Sequence, residues 1–193
     1  MRHLINQSLA SIWDNPVNTS LKRAAVLLPL VERPTGMTLI LTQRTAHLTH
    51  HGGQICFPGG TSHTDDADPI ATALRETEEE IGLQRTGIEI AGFLENCVTN
   101  TGFLIVPVVG FVKPTISLIP DPFEVADIFE VPLEFVLNPI HHEQHSAFYQ
   151  GRQHHYYVIN YQNRIIWGAT AKILVNFYQR LILITNKNSA SAL

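Results

Sequence analysis

The scarcities of this 193-residue chain bound it first. It has two cysteines, Cys56 and Cys97, far apart and without a CxxC spacing. A secreted disulfide scaffold needs more, so reduced and mostly buried thiols in a cytoplasmic protein are expected. Long hydrophobic runs are missing too. The longest apolar stretches are residues 24–31 and 173–184, the second broken by Asn176, Gln179 and Arg180. Neither reaches the ~20 residues that span a bilayer, so a soluble protein is expected. The opening MRHLINQSLASIW lacks the apolar core of a signal peptide. Its Leu4, Ile5, Leu9, Ile12 and Trp13 recur at helical spacing, which predicts a short packed helix in an N-terminal extension over residues 1–20. Positive charge is not in excess either. Thirteen Lys and Arg against seventeen Asp and Glu leave −4, which argues against a broad electrostatic grip on nucleic acid. There is no internal repeat and no linker. One domain over residues 1–193 is expected, with residues 186–193 as a frayed tail.

The acids that are present crowd together. Asp65, Asp66, Asp68, Glu76, Glu78, Glu79 and Glu80 are seven of the seventeen. Around them the pattern predicts buried strands over 24–31 and 37–42, joined by turn chemistry at 32–36. A short strand at 55–57 follows a glycine-rich passage. A helix is predicted over 69–81, with Asp68 as N-cap, Pro69 in the first turn and Gly82 at the C-cap. Strands are predicted at 88–93 and 103–112, and a mixture of short helix and strand at 124–136. A hairpin is predicted from 156–159 and 164–167, and a long amphipathic helix over 170–184. Strands and two substantial helices mix without a regular βαβ repeat, so the fold class is α+β or a layered α/β/α sandwich.

On the 69–81 helix, Glu76, Glu79 and Glu80 stand at i, i+3 and i+4 and share one face, while Glu78 points elsewhere, to solvent. Like charges at that spacing destabilise a helix unless hard cations sit among them. Mg²⁺ and Mn²⁺ take such oxygen ligands, usually together with substrate phosphates. Arg75, four residues before Glu79, can pin that carboxylate. Just upstream, Phe57-Pro58-Gly59-Gly60 permits a tight turn and close approach of the backbone to a ligand or ion. Ala71, Ala73 and Leu74 supply an apolar face for docking the helix on a sheet.

The stretch from Gly60 to Leu83 resembles the box of the Nudix hydrolases, G-x5-E-x7-R-E-U-x-E-E-x-G-U with U a bulky apolar residue. Arg75 to Leu83 fits position by position, except that Thr77 replaces the apolar U. Upstream, Thr61 and Ala67 fall at the Gly and Glu positions, the loop carries one extra residue, and Asp66 or Asp68 stands in for a glutamate that is chiefly structural in the family. The resemblance implies a Nudix-like α/β/α sandwich with a mixed central sheet, Mg²⁺ or Mn²⁺ held by Glu76, Glu79 and Glu80, and a catalytic role for Glu79 and Arg75. The preceding segment from Leu41 to Gly60 is similar to the extra signature of the coenzyme A pyrophosphatase-like subfamily. It matches at Leu41, Thr42, Arg44, Leu48, His51, Gly52 or Gly53, Gln54 and the FPGG. Residues 166–174 resemble that group's C-terminal helix start.

That similarity implies cleavage of CoA or acyl-CoA into 3′,5′-ADP and 4′-phosphopantetheine or its acylated form. Arg44 offers a planar fork for phosphate oxygens, Gln54 an amide, and Gly59 and Gly60 free backbone N–H groups; His51 joins this substrate-binding set. A general base is sought among Glu124, Asp121 and Glu95, with Glu124 favoured. Ten histidines include His141 and His145 at i, i+4, but the sequence is not HExxH, and Pro139 places them in a solvated loop. His50 and His51 adjoin the glycines, where both could touch substrate, and His154 and His155 belong to the hairpin surface. The expected partner is a small molecule, not nucleic acid or membrane, with a homodimer left open. Two alternatives stand beside the CoA reading: another nucleoside diphosphate derivative such as ADP-ribose, and a non-catalytic sensing module on the same fold.

Overall fold

The computed structural model describes residues 1–15, 20–48, 51–149 and 151–190. The chain runs α1 (Arg2–Ser8), β1 (Lys22–Arg33), β2 (Gly36–Arg44), β3 (Ile55–Cys56), β4 (Gly59–Thr61) and α2 (Pro69–Ile81). It continues with β5 (Ile88–Phe93), β6 (Cys97–Val98), β7 (Phe103–Val112), β8 (Val125–Pro132) and α3 (Leu133–Leu137). It ends with β9 (Glu143–Tyr149), β10 (Arg152–Tyr161), β11 (Arg164–Trp167) and α4 (Gly168–Ala190). An α+β fold results, with a mixed central sheet between helical layers.

Strands β1 and β7 form the parallel centre of the sheet, paired from Lys22↔Phe103 to Val31↔Val112. The remaining pairings are antiparallel. β2 joins the C-terminal half of β1, from Leu30↔Leu39 to Arg33↔Gly36. β4 takes the N-terminal half, from Ala24↔Thr61 to Val26↔Gly59. β1 and β2 therefore splay apart, and the edge that β2 frees is taken by β3, which pairs Thr42↔Cys56 and Gln43↔Ile55. β8 closes the outer side of β2.

Both faces of this sheet are buried, and alternate residues divide between two cores. Leu28 and Leu30 of β1, Leu39 and Leu41 of β2 and Val109 and Phe111 of β7 face one side, against Phe177 and Leu174 of α4 and Ile5 of α1. Ala25, Leu27, Val31, Ile40, Val106 and Val108 face the other, against Ala73 and Ile81 of α2. Burial on both sides explains why these strands read as continuous apolar runs. A second sheet, ordered β11-β10-β9, packs beside β3 and under α4. No described helix is long and apolar enough to cross a membrane. Cys56 and Cys97 are free thiols.

Several expectations need correction. The N-terminal helix stops at Ser8, and Ile12 is 82% exposed instead of packed. Backbone bonds between Ala10 and Phe93 turn this segment into an extended bridge on β5. The stretch 143–149 is a strand, not a solvated loop. His141 stacks on Phe135, His142 Nε2 lies 2.8 Å from the Val136 carbonyl oxygen, and His145 sits within β9. The 186–190 part of the expected frayed tail continues α4. No proline or glycine stops it there, the Ser189 hydroxyl donates to Thr185 O, and Asn188 reaches Gln7. Residues 191–193 and His50 lie outside the described residues.

Candidate active site

Helix α2 starts and stops as its sequence dictates. The Asp68 carboxylate accepts from Ala71 N at 2.8 Å, Pro69 fills the first turn, and Gly82 ends the helix at φ 66°, its N–H donating to Glu78 O. Its buried stripe is Pro69, Thr72, Ala73, Thr77, Glu80 and Ile81. Leu74 is only half-buried. Thr77 is tolerated where a bulky apolar residue was expected because its hydroxyl donates to Ala73 O at 2.6 Å.

Arg75 is the hub of the helix. Its Nε and Nη2 meet both oxygens of Asp66 at 3.0 and 2.9 Å. Its Nη1 reaches Glu76 at 2.7 Å and Glu79 at 3.1 Å, and Nη2 also donates to Thr61 O at 3.2 Å. Asp66 accepts further from His63 N and the Thr72 hydroxyl. The Arg75 fork, foremost, holds the Asp66 carboxyl well below the usual carboxylate range. The two loop acids thus divide their work: Asp66 fixes Arg75, and Asp68 caps the helix.

Glu80 points the other way, into the protein. Its Oε2 accepts from Gly59 N at 3.0 Å and its Oε1 from Arg44 Nη1 at 3.2 Å, with 3% of the side chain exposed. Burial outweighs these contacts and pushes its pKa up to about 7; the Gly59 N–H and Arg44 act against the rise, and Glu124 and Glu76 add to it. The adjacent glycines serve the two buried-side carboxylates. A Cβ on Gly59, at φ 146°, would stand 2.4 Å from Ala25 O. One on Gly60 would stand 2.4 Å from Glu76 Oε2. Glu79 is well exposed, and Glu78 is half-buried instead of fully in solvent.

Arg44 ends β2 and links these carboxylates to two loops. Its Nη2 lies 3.9 Å from Glu124. Its backbone N–H donates to Gln54 O, and its carbonyl accepts from Gly53 N. Thr45 N donates to Glu124 O, and the Thr45 hydroxyl donates to Phe123 O at 2.8 Å. Gln54 and His51 contact each other at 2.9 Å across a turn in which His51 has φ 60°. Of the three candidate bases, Glu124 stands beside Arg44. Asp121 is engaged with the Phe123 N–H at 2.8 Å, and Glu95 pairs with Arg180 of α4. Sequence reasoning missed the Arg44–Glu80 pair, 36 residues apart, and the Gly59 N–H on Glu80; no local spacing signals either.

Among the described residues, no three His, Cys, Asp or Glu side chains converge to hold a metal as they are placed. Glu76 and Glu79 turn to Arg75, and Glu80 to Arg44. The donor chemistry still fits a hard divalent cation. Three carboxylates lie within little more than one helical turn, and burial of the innermost, Glu80, raises its pKa to about 7 against the pull of Arg44 and the Gly59 N–H, so a cation there would favour its ionised form.

A mixed sheet between helices, with a carboxylate-bearing helix docked over a glycine turn, defines a Nudix-type hydrolase. The chain belongs to the Nudix family: a NUDIX domain model matches residues 21–151. It is 41% identical over 160 residues to NudL of Photorhabdus laumondii subsp. laumondii, named as an uncharacterized Nudix hydrolase, across 83% of this chain and 85% of that one. Among solved structures, a MutT/nudix family protein from Enterococcus faecalis superposes with a TM-score of 0.54 at 14% identity, covering 88% of this chain and 65% of that one. RenU, a Nudix hydrolase from M. smegmatis, gives 0.50 at 22% identity, with 58% and 71% covered. These two show the shared fold. The protein is thus an enzyme of a family that acts on pyrophosphate bonds of small molecules, generally with Mg²⁺ or Mn²⁺.

Proposed function

We propose that this enzyme hydrolyses the diphosphate of CoA or acyl-CoA to 3′,5′-ADP and 4′-phosphopantetheine or its acylated form. The observation that carries this reading is the meeting of two sequence motifs at one point. Arg44, from the Leu41–Gly60 segment, lies 3.2 Å from Glu80 of the Arg75–Leu83 segment and 3.9 Å from Glu124.

Glu76, Glu79 and Glu80 would hold Mg²⁺ or Mn²⁺. Bound there, the ions supply charge neutralisation of the diphosphate and a water of lowered pKa. The chain's own groups do the rest. Arg75 orients Glu76 and Glu79, leaving the exposed Glu79 able to swing toward the reacting phosphate. The Arg44 fork grips phosphate oxygens. Gln54 and His51 line the approach beside it, and Gly59 and Gly60 let the backbone run close beneath the carboxylates. Glu124, at the rim and half exposed, is the favoured base for the attacking water.

All the converging groups address a diphosphate and none addresses pantetheine, which favours ADP-ribose or a related nucleoside diphosphate derivative as the second reading. The purified protein is to be assayed with CoA, ADP-ribose and a dinucleotide polyphosphate in Mg²⁺ and in Mn²⁺. Release of 3′,5′-ADP from CoA is expected. Its absence sinks the CoA reading, and no turnover of any diphosphate would point to a sensing module.

A further inference from the structure

The second sheet carries an aromatic strip on the face away from the core. In β10 and β11, Ile159 and Ile166 pair across the strands and point into the apolar core. The opposite face carries Val158↔Trp167 in one row, with Val158 itself buried beside the tryptophan, and Tyr156↔His145 in the next. The Tyr156 and Trp167 rings meet edge to face at 6.0 Å, and His145 lies 5.9 Å from Tyr156. Trp167 is 42% exposed, which is high for the largest apolar side chain at a strand end.

This face continues the candidate active site. β11 packs against β3, and the Thr170 hydroxyl, in the first turn of α4 after Trp167, donates to Ile55 O at 3.2 Å. On β3, Ile55 shares a core with Ile166, and Cys56 stands on the opposite side of its own strand. The Cys56 thiol lies 3.3 Å from the Thr42 hydroxyl, two residues before Arg44, which holds Glu80. The strip thus lies on the neighbouring sheet, beyond β3 from the β2 strand that carries Arg44.

The chemistry of the strip selects its occupant. Its rim is polar: Asn160 Nδ2 donates to Glu143 Oε1 at 2.8 Å, and His145 Nε2 lies 2.9 Å from Glu143 Oε2. A fatty acyl chain needs an enclosed apolar groove. A planar heteroaromatic base needs a π-face with hydrogen-bonding groups at its edge, and stacking on Tyr or Trp tolerates any base. We propose that Tyr156 and Trp167 form the subsite that stacks the base of a nucleotide-containing diphosphate, placing its phosphates against Arg44. The proposal rests on Arg44 and α2 forming the reaction site.

The test uses the full chain in a Trp13→Phe background, which leaves Trp167 as the single tryptophan. Titration with 3′,5′-ADP is expected to quench its fluorescence saturably, whereas 4′-phosphopantetheine, which has no base, leaves it unchanged. Trp167→Ala should raise KM for the hydrolysed diphosphate about tenfold with kcat within about threefold, and Trp167→Phe should restore most of the loss. Equal quenching by both probes, no quenching, or an unchanged KM overturns the proposal. So does emission that shifts with protein concentration in the absence of nucleotide, which would mean that a second copy covers the strip. Quenching by 3′,5′-ADP without CoA turnover keeps the base subsite and removes the CoA reading; CoA turnover without quenching does the reverse.

Discussion

The two faces of the central sheet hold the molecule together by different physics. Under α4 and α1 the contacts are almost wholly apolar, with Phe177, Leu174 and Ile5 essentially inaccessible to water. Under α2 the inner stripe is also apolar, but it carries Glu80 into the protein and leaves Asp66, Arg75, Glu76 and Arg44 in a partly buried ionic chain. An apolar contact contributes through burial alone. A buried carboxylate costs free energy until something positive meets it. The first face is built for stability, and the second gives up stability to keep ionisable oxygens close together.

The largest effects should separate the faces cleanly. Glu79→Gln is expected to lower kcat by about a thousandfold, the range of a lost charged group at a reacting phosphate, with thermal stability unchanged because Glu79 is exposed. Phe177→Ala should cost about 3–5 kcal/mol of unfolding free energy while kcat, measured well below its lowered melting temperature, stays near that of the parent. Unchanged turnover in the first variant, or an inactive but stable second one, would erase the contrast.

Glu80 gives the next largest effect, and its sign is the unusual one. Its pKa in the folded protein is raised to about 7 by burial, so the metal-free native state takes up a proton that the unfolded chain releases near pH 4.5. Metal-free stability should therefore be highest below about pH 4.5 as far as this group is concerned, fall as pH rises toward 7, and level off above. Glu80→Gln removes that loss, so the metal-free variant should gain on the order of 3 kcal/mol over the parent at pH 8 and little at pH 4.5, while activity collapses. Urea unfolding in chelator at the two pH values checks this. A variant no more stable than the parent at pH 8 would mean that Arg44 and the Gly59 N–H already neutralise the carboxylate.

The neighbouring glycines sharpen the comparison within α2's own face. Gly59→Ala drives a methyl into the β1 backbone at a positive φ and should destabilise the fold by a few kcal/mol. Gly60→Ala places its methyl nearest to the atoms of the Glu76 carboxylate, a movable side-chain end. It should fold nearly as well and lose activity by roughly tenfold to a hundredfold, as expected when one reactive group is displaced by about an ångström. Circular dichroism melts beside kinetics of the two variants measure the difference; equal losses of stability would refute it.

The smallest effect lies at the far end of the same face. Arg33 binds Glu130 through both nitrogens, at 3.1 and 2.5 Å, and the Thr38 hydroxyl adds a bond at 2.6 Å. The Arg33 fork lowers the Glu130 pKa, so this pair stabilises the fold above about pH 4.3 and its contribution fades as pH falls below. With solvent screening, Glu130→Gln should cost about 1 kcal/mol at pH 7 and progressively less as pH falls below about 4.3, without touching kcat. A cost that does not shrink between pH 7 and pH 3 would trace to packing instead of charge.

Local signals were readable in the sequence wherever one element carries the whole pattern. The α2 limits followed from Asp68, Pro69 and Gly82, because a cap is a contact within three or four residues. The shared face of Glu76, Glu79 and Glu80 followed from helical spacing. The 143–149 strand was not legible, because its residues Glu143 to Phe148 are exposed on both faces and show no apolar alternation. Nor was the exposure of Ile12, because helical spacing continues in the sequence past the point where bonds to Phe93 end the helix.

By itself, then, the sequence determined the acidic helix, the glycine turn before it and the apolar strands on which both rest, since each depends on neighbours along the chain. Only the tertiary structure decided that Asp66 and not Asp68 holds Arg75, that Glu80 is the buried carboxylate, that Arg44 meets it, and that Glu124 stands beside Arg44. The Asp66–Arg75 pair spans nine residues and the Arg44 contacts tens of residues, and no helical or strand spacing encodes either.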